Sequence, residues 1–200
     1  MIDIWDQYKY VTDLTTPEQM AVSQCVQTRA AISPLIYIEI GVFMGGTFKA
    51  ILEQTKNQNV HCWGLDLFED QVDCDTNTHI SGTCHKQVLE DDLKQCGYKH
   101  FDLIKGDSID TLLGMKPIPN GVIFIDGNHT YKATMLDFLL ANFIIQHGYF
   151  IFHNSTNTHQ PDIQYVQRDG GPYLVIQHIL QQTNLEFIGL FDRNTVLKKS

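Results

Sequence analysis

Short apolar runs alternate along the chain with stretches patterned at helical spacing. Thr16-Pro17-Glu18-Gln19 reads as a helix start: Thr16 as N-cap, Pro17 at the first position and Gln19 closing a capping box. That helix runs to about Ala31 and stops before Pro34. Ile36 to Ile40 is a first buried strand ending at Gly41. Thr47, Phe48, Ile51, Leu52 and Thr55 then mark a helix. Val60 to Leu67 is the second strand, followed by a polar excursion from Glu69 to His85 and a helix from Lys86 to Gln95. The third strand is Phe101 to Lys105. A short helix, Ser108 to Leu113, and a turn at Pro117 and Pro119 precede the fourth strand, Gly121 to Asp126. Leu136, Leu139, Leu140 and Phe143 fall on one face of the next helix, with Gly148 as its C′ residue. Tyr149 to His153 is the fifth strand. After a second polar loop, Gly170-Gly171-Pro172 opens a helix through Gln182. Glu186–Phe191 and Thr195–Lys198, split by Asp192-Arg193-Asn194, read as a hairpin.

Strand–helix alternation predicts an α/β fold, a Rossmann-like, doubly wound, mostly parallel seven-stranded sheet with helices on both faces. The C-terminal hairpin adds an antiparallel strand at the sheet edge. No repeat or linker divides the 200 residues, so one domain is expected, with residues 1–34 as an N-terminal helical segment and 35–200 as the α/β core.

The chain is 43% hydrophobic and 18% charged, which fits a packed core. Its net charge of −9 argues against nucleic acid or an anionic membrane as partner. No apolar stretch reaches membrane-spanning length, and the N-terminus carries acids where a signal peptide is basic, so a cytoplasmic chain is expected. Five scattered cysteines without a C-x-x-C agree with that reading. Cys74, His79, Cys84 and His85 match no standard zinc spacing.

In doubly wound sheets ligands lie beyond the carboxyl ends of the strands. After the first strand stands Glu39-Ile40-Gly41-Val42-Phe43-Met44-Gly45-Gly46-Thr47. Its glycines allow a tight turn and close backbone approach. A dinucleotide fingerprint would need glycine at Phe43, and a P-loop would need lysine after Gly46. Neither phosphate motif is present. Asp66, at the end of the second strand, is placed to accept two hydrogen bonds from a ribose diol. Asp107-Ser108 after the third can meet an adenine edge or cap the helix that follows.

Ile38-Glu39-Ile40-Gly41 with Gly45-Gly46-Thr47, Gly64-Leu65-Asp66, Gly106-Asp107-Ser108 and Asp126-Gly127-Asn128-His129-Thr130-Tyr131 together resemble the class I S-adenosylmethionine-dependent methyltransferases. The similarity is greatest to the branch that includes the macrocin-type sugar O-methyltransferases, and it covers about Leu35 to Phe152. The resemblance implies that Glu39, Gly41, Gly45, Gly46 and Thr47 surround the methionine part of the cofactor, and Asp66 and Leu67 the ribose. Asp107 and Ser108 would meet the adenine, and Asp126 the sulfonium end or a divalent metal, magnesium or manganese. In metal-dependent members the histidine of D-x-x-H takes the acceptor's proton, a role that falls on His129. The remaining metal ligands usually come from an acidic pair where this chain has His153-Asn154, so the metal set would be Asp126, His153 and Asn154. Magnesium prefers oxygen donors, which makes that set atypical. A metal-free transfer with His129 or His153 as base is the alternative.

The implied activity is O-methylation of a small hydroxylated acceptor such as a sugar, recognised by the excursions 69–85 and 155–171. Other readings keep the cofactor with a catechol-like or amine acceptor, or make the chain a non-catalytic module that binds an adenosine ligand. A homo-oligomer is compatible with the sequence.

Overall fold

The computed structural model describes residues 12, 14–68, 71–73, 78–80, 82–156, 170–183 and 185–200. Helix α1 spans Thr16–Ala30. There follow β1 (Leu35–Ile40), α2 (Gly46–Thr55), β2 (Val60–Asp66), α3 (Gly82–Gln95), β3 (Phe101–Lys105), α4 (Ser108–Leu113) and β4 (Ile118–Ile125). The chain continues through α5 (Tyr131–Ile144), β5 (Ile145–Phe152), α6 (Gly171–Gln182), β6 (Glu186–Phe191) and β7 (Asn194–Lys199). A short antiparallel ribbon, Gln71–Asp73 with Thr78–Ile80, stands apart from the main sheet.

The seven main strands are ordered β3-β2-β1-β4-β5-β7-β6. The first five are parallel, and β7 runs antiparallel between β5 and β6. The antiparallel strand is therefore internal, and β6 forms the edge. This is the expected Rossmann-like architecture, a mostly parallel sheet closed by a hairpin.

Alternation along the strands sends side chains into two separate cores. Tyr37, Cys62, Val122, Phe124 and Ile151 meet Val22 and Val26 of α1, Phe48 and Ile51 of α2, and Leu89 and Leu93 of α3. Ile38, Leu65, Ile123, Phe150 and Phe152 face the other way, onto Leu112 of α4, Phe138 and Ala141 of α5, and Val175 and Ile179 of α6. Both faces are covered, which is why the central strands read as continuous apolar runs rather than alternating ones.

Local details depart from the sequence expectation. The N-cap of α1 is Thr15, not Thr16, and Glu18 rather than Gln19 reaches back to the cap, accepting from Thr15 N at 2.7 Å. Pro119 lies inside β4 instead of a turn. There β4 overhangs β1, whose pairing starts at Gly121, so the missing N–H costs no ladder bond on that side. Gly148 is not a helix C′ residue, because α5 passes directly into β5 at Ile145. It is a strand residue beside Gly121, where an added Cβ would lie 1.7 Å from Gly121 O.

The face of α5 also differs. Leu139 and Phe143 are 50% and 83% exposed, while Thr134, Asp137, Phe138, Ala141 and Ile144 are buried. The helix is rotated to bring Asp137 and Thr134 inward, each to a hydrogen-bond partner: Ser108 Oγ for Asp137 and the Asn128 carbonyl for Thr134. No helix among the described residues is long and apolar enough to cross a membrane.

Candidate active site

Strand order reverses between β1 and β4, and the site lies at the carboxyl ends of these strands. Asp126 N donates to Ile40 O at 2.9 Å and Gly41 N to Leu65 O at 2.8 Å, drawing the exits of β4, β1 and β2 together. Gly41, at φ +86°, allows this: a Cβ there would be 2.3 Å from Asp126 O. A cavity of about 720 Å³ opens above the crossing, within the range of small-molecule sites.

Asp66 works first as a backbone anchor. Its Oδ2 accepts from Phe43 N at 2.9 Å and its Oδ1 from Phe68 N at 2.7 Å, fixing the loop after β1 with Phe43 at φ +48°. A carboxylate has about four acceptor positions, so two remain for a diol. Asp107 caps α4 by accepting from Ile109 N at 2.8 Å. Ser108 Oγ donates to Asp137 Oδ1 at 2.6 Å. Burial raises the Asp137 carboxyl to about 6. Glu39 is buried at the foot of the cavity and accepts from Tyr37 Oη at 2.6 Å. Burial pushes its carboxyl well above the usual carboxylate range, against the pull of the Tyr37 hydroxyl.

Of the residues expected around a cofactor, Glu39, Gly41, Gly46, Thr47, Asp66, Leu67, Asp107, Ser108 and Asp126 line the cavity. Gly45 sits behind the wall, against the Leu89 side chain. The size of the space, the glycine crossing and the two unused acceptor positions on Asp66 fit an adenosine-bearing ligand.

Asp126 joins this cavity to a histidine pair. Its Oδ1 is 2.5 Å from His153 Nδ1 and 3.2 Å from His129 Nε2. Burial alone would raise the Asp126 carboxyl, but bonds from both histidines hold it below its ordinary value. An ionised carboxylate only accepts, so both ring nitrogens donate to it. Nδ1 is the ring nitrogen of His129 not turned to Asp126, and the side chain is partly exposed, whereas the His153 side chain is 1% exposed.

Glu18 and Arg193 complete the centre. His153 Nε2 has no hydrogen-bond partner among the described residues and faces Glu18 Oε1 at 3.8 Å. Glu18 is fully buried and accepts from Arg193 Nε at 3.0 Å, Arg193 Nη2 at 3.1 Å and Arg193 N at 3.0 Å. Arg193 Nη1 also donates to Asn154 Oδ1 at 3.3 Å. Sequence patterning shows Glu18 only as a helix-start acid. Nothing in it brings residues 18 and 193 together across 175 positions.

Asp126, His129 and His153 place one possible ligand atom each within 4.8 Å of one another, and Asn154 Oδ1 accepts from Arg193 Nη1. One carboxylate and two imidazole nitrogens do not suit magnesium, which takes oxygen donors in near-octahedral geometry. Cys74 and residues 157–169 of the second excursion lie outside the described residues, as do the side chains of His79 and Cys84.

A family described as a methyltransferase domain matches residues 38–155, more than half of the chain. The chain belongs to that family. It is a class I methyltransferase, the class that uses S-adenosylmethionine. No curated protein matches it.

Among solved structures, the methyltransferase superposes on the O-methyltransferase NovP with a TM-score of 0.66 at 16% identity, over 94% of this chain and 82% of the other. It matches the O-methyltransferase TomG from Streptomyces achromogenes, solved with S-adenosylmethionine, with a TM-score of 0.64 at 12% identity, over 100% and 91%. For CalS11, a TDP-rhamnose 3′-O-methyltransferase, the TM-score is 0.59 at 11% identity, over 90% and 77%. These likenesses concern the fold.

Proposed function

We propose that this methyltransferase methylates oxygen on a small hydroxylated acceptor, such as a sugar, with His129 as the base. The observation that carries the reading is the junction at Asp126, where the cavity wall and the partly exposed His129 share one carboxylate. The O-methyltransferase descriptions of NovP, TomG and CalS11, and the sugar acceptor named for CalS11, support the acceptor class.

S-adenosylmethionine, when bound, supplies a methyl group on an electrophilic sulfonium. The chain's own task is to align the acceptor oxygen and remove its proton, because in-line displacement gains most from positioning. Gly41 and Gly46 offer a close backbone surface for the amino-acid end. Asp66 offers its free acceptor positions to the ribose, and Asp107 and Ser108 flank the adenine. Asp126 holds the His129 ring through Nε2–H and leaves Nδ1 to accept the acceptor's proton, with the carboxylate stabilising the imidazolium that forms. His153 is too enclosed to touch an acceptor, so its role is support for Asp126.

Calorimetric titration with S-adenosylmethionine and S-adenosylhomocysteine, followed by an acceptor screen beginning with sugars, tests the reading. Saturable binding with methyl transfer to a hydroxyl is expected. Transfer only to amines would overturn the acceptor class, and cofactor binding without any transfer would favour a binding module.

A further inference from the structure

The metal-dependent relatives implied by the sequence draw ligands from an acidic pair at the end of the fifth strand, and this chain has His153-Asn154 there. The structure shows what engages those two positions. Arg193 Nη1 donates to Asn154 Oδ1 at 3.3 Å, placing a guanidinium against the one oxygen this pair could offer a cation. His153 turns Nδ1 to Asp126 and Nε2 toward Glu18. Glu18 and Arg193 are themselves joined in a forked, two-bond ion pair with a further bond from Arg193 N, an arrangement that fixes orientation as well as charge.

We infer that the Glu18–Arg193 pair is an internal clamp standing in the place of a magnesium-type metal, and that Glu18 and Arg193 are positioning residues for Asp126 and His129, acting through His153. The inference rests on the reading of Asp126 and His129 as the transfer centre. A permanent cation, the Arg193 guanidinium, already sits at the end of β5 against Asn154, and among the described residues Asp126 is the one carboxylate grouped with the two histidines. Glu18, fixed in place by Arg193, packs against the buried edge of the His153 ring at 3.8 Å and limits how far the ring can turn away from Asp126, and so holds the short Nδ1 bond that presents Asp126 to His129. Outer partners of this kind typically change activity by ~10- to 100-fold when removed.

Two measurements on the full chain test the clamp. The first is Mn2+ binding followed by electron paramagnetic resonance, with S-adenosylhomocysteine present. The wild type is expected to leave the free-ion signal unreduced, while His153→Asp/Asn154→Asp, which restores an acidic pair, gains binding by ~10-fold or more. Stoichiometric Mn2+ uptake by the wild type would overturn the inference even if the double variant does not fold.

The second is nuclear magnetic resonance of histidine-labelled protein. The proton of the short His153–Asp126 bond gives a downfield, exchange-protected imidazole resonance. Glu18→Gln should abolish or displace it while the His178 signals stay in place and affinity for S-adenosylhomocysteine stays within ~2-fold. A His153 signal unchanged in a folded Glu18→Gln protein would reduce Glu18 to a fold anchor and overturn the positioning role. Failure of the wild type to bind S-adenosylhomocysteine would instead strike at the cofactor reading, so the two failures are separable.

Discussion

Replacing Asp137 by asparagine removes one titrating proton from the inner face of α5 and keeps an oxygen to accept from Ser108 Oγ. In the wild type, burial lifts this carboxyl from its ordinary 3.8 to about 6, the Ser108 hydroxyl opposing the rise and the charge of Asp107 adding to it. A raised carboxyl favours the folded state when protonated. Its contribution is complete below the unfolded value and is lost as pH rises through about 6. The full effect is about 3 kcal/mol from the size of the shift. The share gained between pH 7 and pH 5 is about 1 kcal/mol. Glu39 and Asp126 also carry shifted values, but both remain in the variant and cancel in the comparison. Urea denaturation of wild type and Asp137→Asn at both pH values gives the four stabilities required. The wild type should gain about 1 kcal/mol more than the variant on acidification. A difference that does not change with pH would refute the account of Asp137 as a buried acid facing no cation.

Other substitutions test other parts of the structure. Asp66→Ala removes the acceptor for Phe43 N and Phe68 N along with the proposed ribose contact. Affinity for S-adenosylhomocysteine should fall roughly 100-fold by calorimetry, as expected from two charge-assisted bonds. His129→Ala should lower turnover about 100-fold or more while cofactor affinity stays nearly constant; equal losses in both would point to a structural role. Gly148→Ala forces a Cβ into the Gly121 carbonyl and should cost about 3 kcal/mol or prevent folding, seen as a lowered Tm.

Much of the fold was legible because strand and helix periods differ and both faces of the sheet are apolar. The bounds of β3, α4 and β6 follow the sequence pattern closely, and the residues after β1, β2 and β3 gather at one cavity because parallel strands must end on the same side. The misreadings share a physical origin. Leu136, Leu139, Leu140 and Phe143 form a good apolar stripe, but α5 buries Thr134 and Asp137 because Asn128 and Ser108 satisfy them, a pairing that periodicity cannot see. Glu18 escaped for the same reason: an acid in a first helical turn reads as solvated until its guanidinium, far off in sequence, is placed.

The contact between Glu18 and Arg193 has a bearing on how the protein is made. Residue 193 is among the last made, so the pair cannot form until nearly the whole chain has been synthesised. A chain stopped before the β6–β7 turn would carry Glu18, Asp126 and both histidines but lack the arginine that closes their centre.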